Sequence, residues 1–265
     1  DEKIMAAIAQ EANGRHHFVA NASALPAVFA DEFDDVLASV AKEAELTIQL
    51  APGVEVEEVF DRTFRKEGDK VVVAFGTFSA KQEKTVLVRL KVPTDKEGVE
   101  PVADLKLGFR DLLKKSDGWS KGSLSVAVKS DGSEQKDLDP FVAARLERSR
   151  TATTLTEANK LFESGRVDEA RAKLAAQKTE LRAARVNAIA VASAAPATAA
   201  PRRAAKSLDR DFDDQTAAVA QAERNFAPPP PAHAGGVAAA APAATTREGK
   251  AQVRANQEKA SSFGF

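Results

Sequence analysis

The pentapeptide Gly118-Trp119-Ser120-Lys121-Gly122 has the Gly-x-Ser-x-Gly spacing of a nucleophile elbow. In such an elbow a strand delivers the serine, a helix follows it, and an acid and a histidine lie further along the chain. Here the segment after the motif reads as a strand, Leu124 to Val128, and the only later histidine is His233, set among prolines and alanines. A hairpin loop is therefore the better reading, and a serine hydrolase using Ser120 is the weakest functional alternative. Asp209-x-Asp211-x-Asp213 opens like a calcium loop, but positions six and twelve are Asp214 and Ala220, where Gly and Glu are needed. Carboxylates in the first turn of a helix, complementing its dipole, account for that run. His16-His17 could ligate a metal, yet adjacent strand residues point to opposite faces and no third ligand accompanies them. No residue is thus assigned a catalytic, cofactor-binding or metal role.

Two features are candidates for partner binding. Trp119 is the sole tryptophan and sits in a Gly- and Ser-rich stretch. It suits either an anchor for a partner or a cover for the end of a β-sandwich. Pro228, Pro229, Pro230 and Pro231 form a polyproline II candidate for an aromatic groove, or a stiff spacer.

The elements that must position these residues follow from periodicity. Ser23 and Pro26 open a helix whose Leu25, Phe29, Phe33, Val36, Leu37 and Val40 form one apolar stripe. Alternation of period two then takes over at Glu45. Leu46, Ile48 and Leu50 lead a series of short strands: Val54–Val59, Lys70–Phe78, Val86–Val92, Leu105–Phe109 and Leu124–Val128. An antiparallel sandwich over 45–136 is expected. Asp139-Pro140 is a helix entry, with Asp as N-cap and Pro in the first turn. Helices follow at Val142–Phe162 and Val167–Val186, split by Ser164-Gly165, as a tetratricopeptide-like hairpin over 137–187 docked on the sandwich or on a partner. From 188 to 265 the composition turns to Ala, Pro, Ser and Thr. That predicts a largely disordered tail, with further helices at 207–226 and, marginally, Arg247–Ser261.

Composition excludes several classes. Residues 1–140 carry 19 basic and 26 acidic side chains, and the rest carry 19 and 13. This mild asymmetry is no nucleic-acid footprint, which needs clustered Lys and Arg on one face. The absence of cysteine removes disulfides, thiolate metal sites and cysteine nucleophiles. No run approaches the length of a membrane span.

The order of features in the first 44 residues resembles the C-terminal end of a von Willebrand factor type A domain. The matching residues are Asp1-Glu2, Ile4 to Ala9, Gly14, Phe18, Leu25, Phe29 and the acidic helix to Val40. Glu45 to Val54 and Lys84 to Pro93 resemble the β-rich extension that follows this domain in bacterial members. The resemblance implies an α+β chain: the end of a doubly wound α/β domain (1–44), then the sandwich, the hairpin and the tail. It also implies a non-enzymatic binding or scaffolding role toward protein partners. The alternative is a regulatory or accessory subunit of a membrane transporter or enzyme complex. The family's metal-ion-dependent adhesion site uses Asp-x-Ser-x-Ser, which is absent from this sequence. A divalent cation such as Mg is therefore expected upstream of Asp1, and this chain is expected to be the C-terminal portion of a longer bacterial protein. The compartment stays open between cytoplasm and cell envelope. In the family the last helix can shift when the metal site binds ligand. With no Gly or Pro between Leu37 and Leu50, such a shift is expected to pass into the sandwich.

Overall fold

The computed structural model describes residues 22–129, 138–193, 199–227 and 244–263, together with positions 4, 5, 8, 9 and 19. The chain divides into two compact units, Asp1–Gln135 and Lys136–Phe265.

In the first unit a 3-10 turn at Ala22–Ala24 leads into helix α1 (Leu25–Leu37). Seven strands follow among the described residues: β1 (Ser39–Leu50), β2 (Glu55–Phe60), β3 (Phe64–Glu67), β4 (Lys70–Ser79), β5 (Leu87–Lys91), β6 (Gly98–Asp111) and β7 (Ser116–Val128). Five of them form an antiparallel sheet in the order β3-β4-β1-β6-β7, and β2 pairs with β5 as a separate ladder. Strand β1 is central. Its Ile48 lies between Val71 and Leu105, and its Leu46 between Val73 and Leu107, so one apolar row crosses three strands. Val56 and Val59 of β2 and Val88 and Leu90 of β5 pack on that row. The two-stranded ladder covers the middle of one face, and the sheet extends beyond its cover.

Three expectations are corrected. The helix after Ser23 ends at Leu37, short of the expected Val40, because residues 39–44 are drawn into β1. Ala38 accepts a hydrogen bond from the Ala80 N–H (2.8 Å), and Val40 accepts one from the Leu112 N–H (3.0 Å). Tertiary pairing overrides local helix preference there. The register slips between Ala41 and Glu45, where Glu43 takes a left-handed φ of 55°, so the joint below α1 is a bulge and not an even rod. Finally, the motif at 118–122 is not a loop. The Asp111 carboxylate accepts from the N–H groups of Leu113 and Lys114 (both 2.9 Å), which places the β6–β7 turn at 112–115 and leaves 116–128 extended.

Among its described residues the second unit holds four helices: α2 (Pro140–Glu163), α3 (Val167–Ser193), α4 (Ala199–Asn225) and α5 (Arg247–Phe263). Asp139 N-caps α2, accepting from Phe141 N–H (2.9 Å) and Val142 N–H (3.3 Å), with Pro140 next. Gly165 takes a φ of 81° at the α2–α3 turn, where Arg166 N–H returns to Leu161 C=O (2.9 Å). That closure satisfies a helix-end carbonyl, and glycine adopts the conformation without strain.

The helices expected at 207–226 and Arg247–Ser261 are present as α4, which starts earlier at Ala199, and α5, and both pack on the α2–α3 hairpin. Leu208, Phe212, Gln215, Val219, Ala222 and Phe226 recur at alternating steps of four and three along α4, and all are buried. Gly249, Val253, Asn256, Ala260 and Phe263 repeat the pattern on α5, and Ala170, Leu174, Gln177 and Leu181 on α3. A seam with this period buries one face of each helix against its neighbours. The Phe226 ring stacks on Phe162 of α2 with centroids 4.1 Å apart. A polar layer crosses the same interior. Thr151 Oγ1 donates to Gln215 Oε1 (3.1 Å), Gln177 Nε2 donates to Glu147 Oε2 (3.2 Å), and Asn256 Nδ2 donates to Asn159 Oδ1 (3.0 Å).

Phe226→Ala tests whether the tail belongs to the core. It should destabilise the protein by about 3–5 kcal/mol, the range for truncating a buried aromatic. The loss is read from urea unfolding followed by helical circular dichroism, and a change below about 1 kcal/mol would mark α4 as peripheral.

Candidate functional site

Ser120 stands in the middle of β7, an edge strand, and is exposed. Its neighbours explain the motif by packing. Gly118 lies opposite Phe109 in the β6–β7 register, and a Cβ there would approach two Phe109 ring carbons at 2.8 Å. Gly118 therefore leaves room for an aromatic ring to lie across the strand. The second glycine, Gly122, faces Leu105. No histidine lies among the described residues, since His16, His17 and His233 all fall outside them, and no helix follows the serine. The geometry of a nucleophile elbow is not built at Ser120.

The acidic run Asp209, Asp211, Asp213 is not in a first turn, because α4 begins ten residues earlier at Ala199. Its carboxylates are held by arginines of neighbouring helices. Arg185 of α3 donates to Asp209 through Nε (2.9 Å) and Nη2 (2.6 Å) and to Asp213 through Nη1 (2.5 Å). Arg148 of α2 donates to Asp211 (2.5 Å). Hydrogen bonding to Asp209 raises the Arg185 guanidinium above its usual value, against a smaller desolvation effect. Arginine forks on carboxylates are strong, directional contacts, and they bring α4 into register with the hairpin. These oxygens do not fit a divalent cation, and no group of three metal-ligating side chains occurs among the described residues.

What remains open to a partner is apolar surface. On α1, Leu25, Phe29 and Phe33 fall on one stripe, with Phe29 69 % and Phe33 64 % exposed. A second exposed strip lies on β7. Leu124 and Val126 stand on the face that carries Phe109, and Trp119 on the other. Trp119 is 64 % exposed and faces Gly108, whose missing side chain leaves open space beside it. The Lys121 ammonium sits 4.9 Å from the Trp119 ring centre. Trp119 thus stands exposed on an edge strand. Pro228 to Pro231 lie outside the described residues. Leu124, Val126 and Val128 alternate in the sequence, but the full length of β7 is not apparent there because Gly118 and Gly122 mimic a loop.

No family model and no curated protein matches this sequence. Solved structures do. Over 98 % of its length the chain is similar to a protein described as von Willebrand factor type A from Catenulispora acidiphila, with a TM-score of 0.64 and 12 % identity. The fold is von Willebrand factor type A-like. A second match, the ArnB paralogue VWA2 from Sulfolobus acidocaldarius, covers 82 % of the chain with a TM-score of 0.37 and 14 % identity. The chain spans 55 % of the first protein and 52 % of the second, about half the length of each. All strand pairs among the described residues are antiparallel. Of the doubly wound end expected over 1–44, the residues before 22 fall largely outside the described residues, and residues 39–44 belong to β1 of the antiparallel sheet. No helix among those residues is long and apolar enough to cross a membrane.

Two substitutions separate packing from chemistry in the 118–122 segment. Gly118→Val should displace the Phe109 ring and destabilise the sheet by about 1–3 kcal/mol, as overpacking does. Ser120→Ala, at an exposed position, should stay within about 0.5 kcal/mol of the parent. Trp119 fluorescence during urea unfolding reports both.

Proposed function

We propose that this chain is the C-terminal, non-enzymatic binding and scaffolding part of a bacterial von Willebrand factor type A protein. In this reading α1 is the last helix of an α/β body that holds the family's metal site, and no residue of this chain is assigned to that metal. The β unit and the helical bundle then serve as protein-interaction modules attached to that body. The observation that carries the reading is the uncovered stripe of α1. A helix with two phenylalanines on one face is built to be buried, and a few hundred Å² of such surface is worth several kcal/mol at about 25 cal/mol per Å². The unmatched half of the Catenulispora protein supports the reading by leaving room for a body of that size.

The double variant Phe29→Glu/Phe33→Glu tests it in two proteins. In the 265-residue chain it should lower binding of an apolar dye without shifting the unfolding midpoint. In the longer protein it should destabilise by several kcal/mol, on the order of two buried aromatics. Equal destabilisation in both would mean that α1 is already covered within this chain, and the reading fails. For the non-enzymatic part, ester turnover by the purified chain should not exceed buffer, and any activity abolished by Ser120→Ala would refute it.

A further inference from the structure

The outer edge of β7 runs for 13 residues, and no described strand pairs with it. Its free backbone N–H and C=O groups form a template for another strand. The opposite edge of the sheet is protected, since β3 is four residues long and three of them are Arg65, Lys66 and Glu67. Strand β7 has no such protection. It contains no proline and only two charges, Asp117 and Lys121. Even-numbered residues share the face of Phe109, and odd-numbered residues share the face of Trp119.

We infer that the strand completing this edge is β7 of a second copy of this chain, antiparallel to the first about a twofold axis through Ser123. The match lies in the strand's complementarity to itself. In this register Asp117, which Arg110 also holds within its own chain (3.0 Å), faces Lys129 of the second copy, one residue past β7; Trp119 faces Ala127, Leu124 faces Gly122, and Ser123 faces its own mate. Each bulky side chain meets a small one, and the acid meets a base at both ends of the ladder. Val128 of one copy comes opposite Gly118 of the other, beside the Phe109 ring that already lies there. A twofold through Trp119 would instead set two indoles face to face and place Leu124 opposite Lys114. Directly opposed side chains are the units that stabilise a sheet, and opposite charges among them favour one register over its neighbours. The result is one continuous sheet formed from two five-stranded ones.

The absence of cysteine makes the register directly testable in the full 265-residue chain. Facing Cβ atoms in an antiparallel pair lie about 4.5–5.5 Å apart, close to disulfide reach. Ser123→Cys should therefore cross-link to a dimer under mild oxidation. Ser120→Cys should not, because its mate would lie six positions away along the ladder, about 20 Å. By sedimentation equilibrium the parent should show a monomer–dimer transition with a Kd on the order of micromolar. Lys129→Asp should weaken it about tenfold by placing like charges opposite each other, and Asp117→Lys/Lys129→Asp should restore it. A chain that stays monomeric at hundreds of micromolar overturns the inference. So does equal cross-linking of the two cysteine variants, which would signal random collision, or a dimer indifferent to both charge variants, which would place the contact elsewhere.

Discussion

Apolar faces created by local sequence have to be covered, because each exposed Å² of hydrocarbon forgoes about 25 cal/mol. The two units meet this requirement to different degrees. In the bundle each helix carries a stripe with a period near 3.5, and every stripe is closed by another helix of the same chain. Leu155, Leu174, Leu181, Phe212, Val219 and Phe226 are all essentially inaccessible to solvent. In the β unit the cover is partial. The β2–β5 ladder shields Ile48, Val71 and Val73, while Leu124 and Val126 at one margin and the α1 stripe are left facing water. The helical unit leaves only scattered apolar side chains in water, such as Phe141 and Val186, whereas the β unit leaves whole stripes.

The bundle's polar layer has a different physical role. Thr151, Gln177 and Gln215 contribute little net stability, since burying them gives up water as a partner before any internal bond is gained. Their effect is on register. A helix sliding by one turn would leave Gln215 buried with nothing to bond, and such a group is expensive. The Arg185–Asp209–Asp213 and Arg148–Asp211 clamps act in the same sense at the rim, where solvent weakens each ion pair and geometry supplies the selectivity. Together they hold α4, a helix poor in large apolar residues, in one position on the hairpin.

Much of the candidate site was legible from residue types, and its arrangement was not. The stripe of Leu25, Phe29 and Phe33 was readable from spacing alone, but its exposure depends on what packs nearby. Trp119 was identified from its rarity, whereas its place on a bare edge strand follows from where the β6–β7 turn falls. That turn is set by the Asp111 carboxylate and by Lys115 in a left-handed conformation. Neither residue is a strong turn signal beside Gly118 and Gly122. The glycines were misread because a glycine that makes room for a ring looks the same in sequence as one that makes a turn. The distinction depends on Phe109, nine residues earlier.

By itself the sequence determined the local elements with strong signatures: the capped entry at Asp139-Pro140, the glycine turn at 165, the alternating apolar strands, and the helix carrying Leu25 and Phe29. These depend on backbone preference and on side-chain period, which are properties of short windows. Tertiary structure alone decided the rest. It ended α1 at Leu37, because residues 39–44 gain hydrogen bonds from both β4 and β6 in the extended state. It seated α4 and α5 on the hairpin and began α4 earlier than its own stripe suggests, because a heptad stripe diluted among alanines is worth little until another helix buries it. It put β7 at an edge, because β4 and β6 fill both sides of β1 and β7 pairs with β6 alone among the described strands. The face a partner would meet is the surface left over when that competition for cover is finished, and no short window of residues contains it.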